Sequence, residues 1–221
     1  MDIRTLDPRK VRDIRPMVLD ANGELTVQPA SFYAETTIFE RAMLGTRIGA
    51  YGLPTTELVA WLKMATAGKK AIEIGAGNGV LSRAVGILGT DNFLQVRSDV
   101  RNYYAALGQP LIPYGQHLAR LEAEQAVRLH KPDIVVACWV THLFDERRPE
   151  AGGNMYGVDE AWIVANCKSY IFIGNEQVHR HKVIWDLPHV RYSPSWLYSK
   201  AHNGSPEFIA IWGEQPDELP V

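Results

Sequence analysis

The sequence predicts an α/β fold: a single domain with a mostly parallel seven-stranded sheet, helices on both faces and a final antiparallel strand. Two observations predict it. Short apolar segments typical of buried strands alternate with helical segments from residue 69 onward, and this alternation is typical of a parallel sheet covered on both faces. The last apolar segment follows the turn-rich stretch AHNGSP at 201–206, which predicts a closing antiparallel pair.

Composition and charge exclude several classes of protein. The 221 residues include 23 basic and 25 acidic side chains, a net charge of −2 that argues against a dedicated nucleic-acid or acidic-lipid binder. The longest apolar run, 134–140, is far shorter than the ~20 residues that span a bilayer, and the first residues do not form a secretory signal. Cys138 and Cys167 are too few for a disulfide scaffold and are interpreted as buried thiols. We therefore expect a cytoplasmic protein without a membrane partner.

The chain divides into an N-terminal segment and a main domain. Residues 1–50 are predicted to form a helical or irregular extension, since Pro8, Pro16 and Pro29 interrupt it, with a helix over 31–44. Two roles stay open for this extension: a cap over the substrate side or a contact in a homodimer. The main domain, 51–221, begins with a helix that Thr55 or Thr56 can cap.

The remaining elements are predicted from apolar runs and helical composition. Strands are expected over 69–75, 93–97, 134–140 and 170–175, with 190–199 and 207–213 as the closing pair. Helices are expected over 80–88, 118–129 and 159–167.

The most informative segment is the glycine loop, residues 75–79, preceded by Glu73 in the pattern E-I-G-A-G-N-G. Glycines between a strand and a helix permit positive φ and let a ligand approach the backbone. A dinucleotide fingerprint needs a glycine where Val80 stands, and the Glu73 carboxylate would repel a pyrophosphate but suits an ammonium or a sulfonium. A nicotinamide or flavin site, or a turn without a ligand, stays an alternative.

This loop resembles the first motif of class I S-adenosylmethionine-dependent methyltransferases, and the layout of residues 50–213 agrees with that family. The resemblance implies S-adenosylmethionine as cofactor and a methyl acceptor that is a small molecule, a protein side chain or a nucleic acid. The residues that it implies as cofactor contacts in the loop are Glu73, Gly75, Ala76, Gly77 and Asn78.

The resemblance also implies two acids farther along the chain. An acid at the end of the second strand binds the ribose hydroxyls in this family, and Asp99, 24 residues after Gly75, matches it. Glu122, inside the predicted helix 118–129, is the nearest match to the residue that binds the adenine amino group. A turn acid at Asp99 and an exposed helix charge at Glu122 are the alternatives.

The end of the 134–140 strand is where the family places the reaction. Nucleobase aminomethylases of this family have Asn or Asp followed by Pro-Pro and an aromatic residue there. This chain has Cys138-Trp139-Val140-Thr141, which argues against amino methylation of a nucleobase by that route. Trp139 is predicted to line the donor or acceptor pocket as a cofactor-binding residue whose ring face suits a sulfonium, with core packing as the alternative. His142 is the candidate general base, with a structural or exposed histidine as the alternative.

The loop at 145–157 is a candidate substrate lid or a solvated loop. His179 and His181 have no fixed third ligand, so we predict no metal site. The functional alternatives to a methyltransferase are a donor-binding protein of the same fold, either a donor-cleaving enzyme or a binding module, and an NAD-dependent oxidoreductase.

Overall fold

The computed structural model describes residues 10–106, 108 and 110–220, so the first nine residues of the predicted extension lie outside the described part. Its helices are α1 (Arg15–Val18), α2 (Ala30–Ala34), α3 (Ile38–Ile48), α4 (Thr56–Thr66), α5 (Val80–Val85), α6 (Ser98–Ala106), α7 (Ala123–His130), α8 (Glu160–Ala165) and α9 (Glu176–His179). Its strands are β1 (Gly52–Leu53), β2 (Ala71–Ile74), β3 (Leu88–Asp91), β4 (Ala119–Arg120), β5 (Ile134–Cys138), β6 (Ser169–Asn175), β7 (Val190–Tyr192), β8 (Tyr198–Ser199) and β9 (Glu207–Gly213). None of the helices in these residues is long and apolar enough to cross a bilayer.

Seven of these strands form one sheet in the order β4-β3-β2-β5-β6-β9-β7. The first five are parallel to one another, whereas β9 runs antiparallel to both β6 and β7. The predicted fold class is therefore confirmed. The chain moves outward from β2 to β4 and then returns to β5 on the other side of β2, so the strand order reverses between β2 and β5.

The core lies on both faces of the sheet because successive side chains of a strand point to opposite faces. In β5, Ile134 and Val136 pack on one face with α4 and α5. Val135 and Ala137 pack on the other face with α7 and α8. The central strands are apolar throughout for this reason, as the sequence predicted.

The second strand lies earlier in the chain than the sequence predicted. Residues 93–97 do not form a strand: Leu94–Val96 form a 3-10 turn, and the strand is Leu88–Asp91, paired with β2 from Ile72 to Ile74. Gly86, at φ 86°, ends α5 early, so that the chain enters the sheet directly after it.

Two predicted helices also differ from the structure. The span 118–129 begins with the short strand β4 and becomes helical only from Ala123, with Glu122 as N-cap. The span 31–44 is divided into α2 and α3, because Thr37 starts a new helix. Its side chain accepts a hydrogen bond from the Glu40 N–H, and the Glu40 carboxylate accepts one from the Thr37 N–H.

The residues before β2 form a third apolar cluster beside the sheet. Ile14, Val18, Tyr33 and Leu44 are buried there, together with Val80 of α5. The strand β1 pairs with β8 in a separate antiparallel pair. Thr55 caps α4 by accepting a hydrogen bond from the Leu58 N–H at 3.1 Å. This packing holds residues 49–54 against the carboxyl edge of the main sheet.

Candidate functional site

The cavity of the protein lies where the strand order reverses. In open α/β sheets ligands bind beyond the carboxyl ends of the strands at such a point, and a cavity of about 540 Å³ opens there. It is lined by the N-terminal segment 49–54, the glycine loop, the segments that follow β3 and β4, the end of β5 and the loop 154–159. Its volume is within the range of small-molecule sites.

The three glycines of the glycine loop have different surroundings. All have positive φ, at 58°, 58° and 73° for Gly75, Gly77 and Gly79. A Cβ at Gly75 would lie 2.6 Å from Val140 Cγ1, and one at Gly79 would lie 2.5 Å from His117 Nε2, so protein atoms fill both positions. A Cβ at Gly77 would meet only Ile112 Cγ2 at 3.7 Å. Of the three, Gly77 is the one that leaves room for a ligand against the backbone.

Glu73 lies on β2 beneath this loop with its side chain buried. Its Oε2 accepts a hydrogen bond from the Ser82 N–H at 2.8 Å. Burial raises the pKa of this carboxyl to about 8, because removal from water disfavours the charged form. Glu73 lines the cavity together with Ala76 and Asn78, and the Asn78 side chain accepts the Val80 N–H at 3.1 Å.

The acid at the end of the second strand is Asp91, which the sequence analysis missed. It is the last residue of β3 and follows Gly75 by 16 positions. Its Oδ2 accepts the Gly77 N–H at 2.9 Å and its Oδ1 the Phe93 N–H at 2.8 Å. Burial raises the pKa of Asp91. This carboxyl therefore joins the glycine loop to the strand beside it and faces the cavity.

Asp99 does not lie at a strand end. It is in the first turn of α6, its side chain is 58% exposed, and it is paired with Arg97 at 2.9 Å. The hydrogen bond from Arg97 lowers the pKa of Asp99. The structure does not bring it to the cavity wall with the glycine loop.

Glu122 lies at the cavity, in a different local structure from the one predicted. As the N-cap of α7, directly after β4, it faces the same opening as Asp91. Its Oε2 accepts a hydrogen bond from the Asn92 side chain at 3.2 Å. Asp91 and Glu122 therefore border the cavity from neighbouring strand ends.

Trp139 follows β5 with φ at 62°, a left-handed conformation that is uncommon for a bulky residue. Its backbone N–H donates to the Ile173 carbonyl at 2.9 Å, and its ring meets the edge of the buried His179 ring at a centroid distance of 5.0 Å. Together with Cys138 it lines the cavity. Burial raises the pKa of the Cys138 thiol.

His142, the predicted general base, lies beneath the loop 145–157 and is not one of the cavity-lining residues. Gly153 and Gly157 pack directly on it, since a Cβ at either would overlap His142 atoms. Its Nε2 is buried with no hydrogen-bond partner among the described residues, and burial lowers its pKa.

A buried ion pair supports the turn after β5. Lys182 Nζ lies 2.5 Å from Glu160 Oε2, and both side chains are 1% exposed. Lys182 also donates to the Val140 carbonyl at 2.9 Å, and the Tyr170 hydroxyl donates to Glu160 Oε1 at 2.7 Å. The pair thus connects α8 and β6 to the end of β5.

The mostly parallel seven-stranded sheet with its final antiparallel strand β9 is the fold that the resemblance stated above implies. The chain has the fold of the class I S-adenosylmethionine-dependent methyltransferases. No family model and no curated protein matches it.

Three solved structures are similar to this chain at low sequence identity. One is precorrin 8w decarboxylase from Methanobacterium thermoautotrophicum, with 12% identity, coverage of 75% of this chain and 94% of that chain, and a TM-score of 0.40. The second is magnesium protoporphyrin IX methyltransferase from Synechocystis PCC 6803 with bound S-adenosylmethionine, with 14% identity, coverage of 82% and 88% of the two chains, and a TM-score of 0.39. The third is an rRNA methylase from Streptococcus thermophilus, with 10% identity, coverage of 71% and 94%, and a TM-score of 0.37. Because these identities and TM-scores are low, the fold of this chain is identified from its own sheet topology.

Proposed function

We propose that this protein is an S-adenosylmethionine-dependent methyltransferase. The observation that carries the proposal is the convergence of the glycine loop, Asp91 and Glu122 on one cavity at the point where the strand order reverses. The glycine loop would hold the amino-acid portion of the donor, Asp91 its ribose hydroxyls and Glu122 the adenine side.

The charges of the cavity suit this donor. S-adenosylmethionine carries an ammonium and a sulfonium, and the carboxyl of Glu73 lies beneath the loop that would hold them. Pyrophosphate groups would find no compensating cation on the cavity wall of the described chain. The charge distribution therefore favours this donor over a dinucleotide.

In the reaction, a lone pair of the acceptor forms a bond to the donor methyl carbon while the electron pair of the breaking C–S bond stays on sulfur. The products are the methylated acceptor and neutral S-adenosylhomocysteine. The contribution of the protein is to hold the two reactants in line and to exclude water.

The direct test compares two aspartates. Asp91→Asn should weaken binding of S-adenosylmethionine and S-adenosylhomocysteine alike, by ~1.5–3 kcal/mol, because charge-assisted hydrogen bonds to the ribose are lost. Asp99→Asn, at the exposed position, is the matched control and should bind both ligands as the wild type does. Calorimetric titration of the two ligands and of NAD measures this.

Two outcomes would contradict the proposal. Tighter binding of NAD than of S-adenosylmethionine would indicate an oxidoreductase. Consumption of S-adenosylmethionine by the protein alone, at a rate that no acceptor increases, would indicate a donor-cleaving enzyme.

A further inference from the structure

The cavity wall carries acids and no basic side chain. Its carboxyl groups are those of Glu73, Asp91, Glu122, Glu124 and Asp159, and no lining residue of the described chain is Lys, Arg or His. Burial raises the pKa of Glu73 and of Asp91. An acceptor that carried a phosphate or a carboxylate would enter this cavity against like charge and find no partner.

Aromatic residues also line this cavity. Tyr51, Tyr104, Tyr114, Trp139 and Tyr156 come from four different segments and all line it. The rings of Tyr51 and Trp139 lie 6.0 Å apart at a tilt of 42°. Flat side chains on several sides favour a planar ligand, because aromatic rings bind one another by stacked or edge contacts.

The hydroxyls of Tyr51 and Tyr114 in this wall keep their protons and are uncharged. Burial raises the pKa of Tyr51 and of Tyr114 to about 12, and the neighbouring Tyr104 hydroxyl raises the pKa of Tyr51 further. Two cations lie against tyrosine rings of the wall: Lys200 Nζ is 3.6 Å from the Tyr51 centroid, and the Arg97 guanidinium carbon is 5.0 Å from that of Tyr156. Neither of them lines the cavity.

We propose that the methyl acceptor is a small, planar, uncharged aromatic molecule whose ring nitrogen is the nucleophile. This inference rests on the proposed function and adds the substrate class. The nitrogen lone pair forms the new N–C bond as the C–S bond breaks with its electron pair on sulfur. No proton moves, so the reaction needs no general base.

The charge balance of this transfer matches the cavity. The single positive charge that begins on the donor sulfur ends on the N-methylated ring, so the reacting centre is cationic throughout. Carboxylates and aromatic faces stabilise a cation at both stages. Methylation of a phenol would in addition require a carboxylate of the wall to remove a proton, a step that a ring nitrogen does not need.

The test uses three planar probes that share a methyl-substituted six-membered aromatic ring: 4-methylpyridine, 4-methylphenol and 4-methylbenzoate. They are titrated by NMR into the protein saturated with S-adenosylhomocysteine, at a pH where 4-methylpyridine is uncharged. Its affinity should exceed that of 4-methylbenzoate by at least about tenfold. With S-adenosylmethionine, mass spectrometry should detect the N-methyl cation as the main methylated product of the three.

Equal or tighter binding of 4-methylbenzoate, faster methylation of 4-methylphenol, or no binding of 4-methylpyridine would each overturn the inference. Saturation with S-adenosylhomocysteine is measured first and separately. Its failure would contradict the proposed function, whereas failure of the probes alone would contradict only the acceptor class.

Adjacent tyrosines offer a matched pair of variants. Tyr104→Leu should lower the affinity for 4-methylpyridine several-fold with little change for S-adenosylhomocysteine. Tyr103→Leu, one position earlier, 63% exposed and outside the cavity wall, should change neither. Thr141→Lys places a cation on the wall and should raise the affinity for 4-methylbenzoate. An unchanged preference in Thr141→Lys would contradict the electrostatic part of the argument.

Discussion

At the scale of single residues, the site depends on the buried carboxyl groups of Glu73 and Asp91. Glu73 is 2% exposed, and its raised pKa leaves the carboxyl protonated at neutral pH in the free protein. A bound sulfonium or ammonium favours the ionised form. Binding of the donor should therefore release a proton from Glu73.

We expect the affinity for S-adenosylmethionine to rise with pH, by up to about tenfold per unit below pH 8, and to level off above it. Glu73→Gln should remove this slope, since the amide has no proton to lose. Calorimetry in two buffers of different ionisation enthalpy counts the protons released. An equal slope in Glu73→Gln would contradict the assignment, and Asp91→Asn, which removes the neighbouring carboxyl, is the control.

The same pKa has a consequence for stability in the absence of donor. Between about pH 4.5 and 8 the native Glu73 binds its proton more tightly than the unfolded chain does. The contribution of Glu73 to the free energy of unfolding is therefore largest at acid pH and is lost as the pH rises through this window.

At the scale of secondary-structure elements, the Lys182–Glu160 pair connects three segments that meet behind the cavity. Lys182, which follows α9, holds Glu160 of α8 and the carbonyl of Val140 after β5. Burial lowers the pKa of Lys182. A buried ion pair of this kind contributes little compared with an apolar pair, but removing one partner leaves a charge without compensation.

Lys182→Met should lower the free energy of unfolding by about 3–5 kcal/mol, as measured by chemical denaturation. The double variant Lys182→Met, Glu160→Gln should recover a large part of that loss. The matched control is Lys168→Met, which removes an ion pair with Asp133 whose side chains are 62% and 32% exposed. Its cost should stay below about 1 kcal/mol. Equal losses in Lys168→Met and Lys182→Met would contradict the role of burial.

At the scale of the whole molecule, the residues before β2 pack with the main sheet and help to form the cavity. Leu44, 2% exposed, lies in the cluster that includes Val80 at the start of α5, and Gly49 and Ala50 lie on the cavity wall. Whether residues 1–50 cap the substrate side or contact a second copy stays a prediction.

Leu44→Ala should lower the free energy of unfolding by about 2–5 kcal/mol, the range for a truncated core leucine. Because the cluster shares Val80 with the helix after the glycine loop, circular dichroism and tryptophan fluorescence should report one shifted transition. Leu129→Ala, at a position that is 66% exposed, is the control and should change little. Two separate transitions in Leu44→Ala would show that this segment unfolds independently of the sheet.

The sequence by itself determined the features that depend on local pattern. The apolar runs at 134–138 and 170–175 are strands because they are too short and too apolar for an exposed helix. The glycine loop is recognisable because its glycines and the preceding acid are consecutive in the chain. The closing antiparallel strand follows from the turn residues before it. These features suffice for the fold class and for the position of the cavity.

The tertiary structure decided which acid and which aromatic residues reach that cavity. Residues 93–97 have the more strand-like composition, yet Leu88–Asp91 is the strand, because hydrogen bonds to β2 outweigh the low strand propensity of Gly89 and Asp91. That shift replaces Asp99 with Asp91. The aromatic wall joins residues as far apart as Tyr51 and Tyr156, and no local pattern relates them. Strand order and packing decide which residues far apart in the sequence become neighbours in space. A local sequence pattern carries no information about either of them.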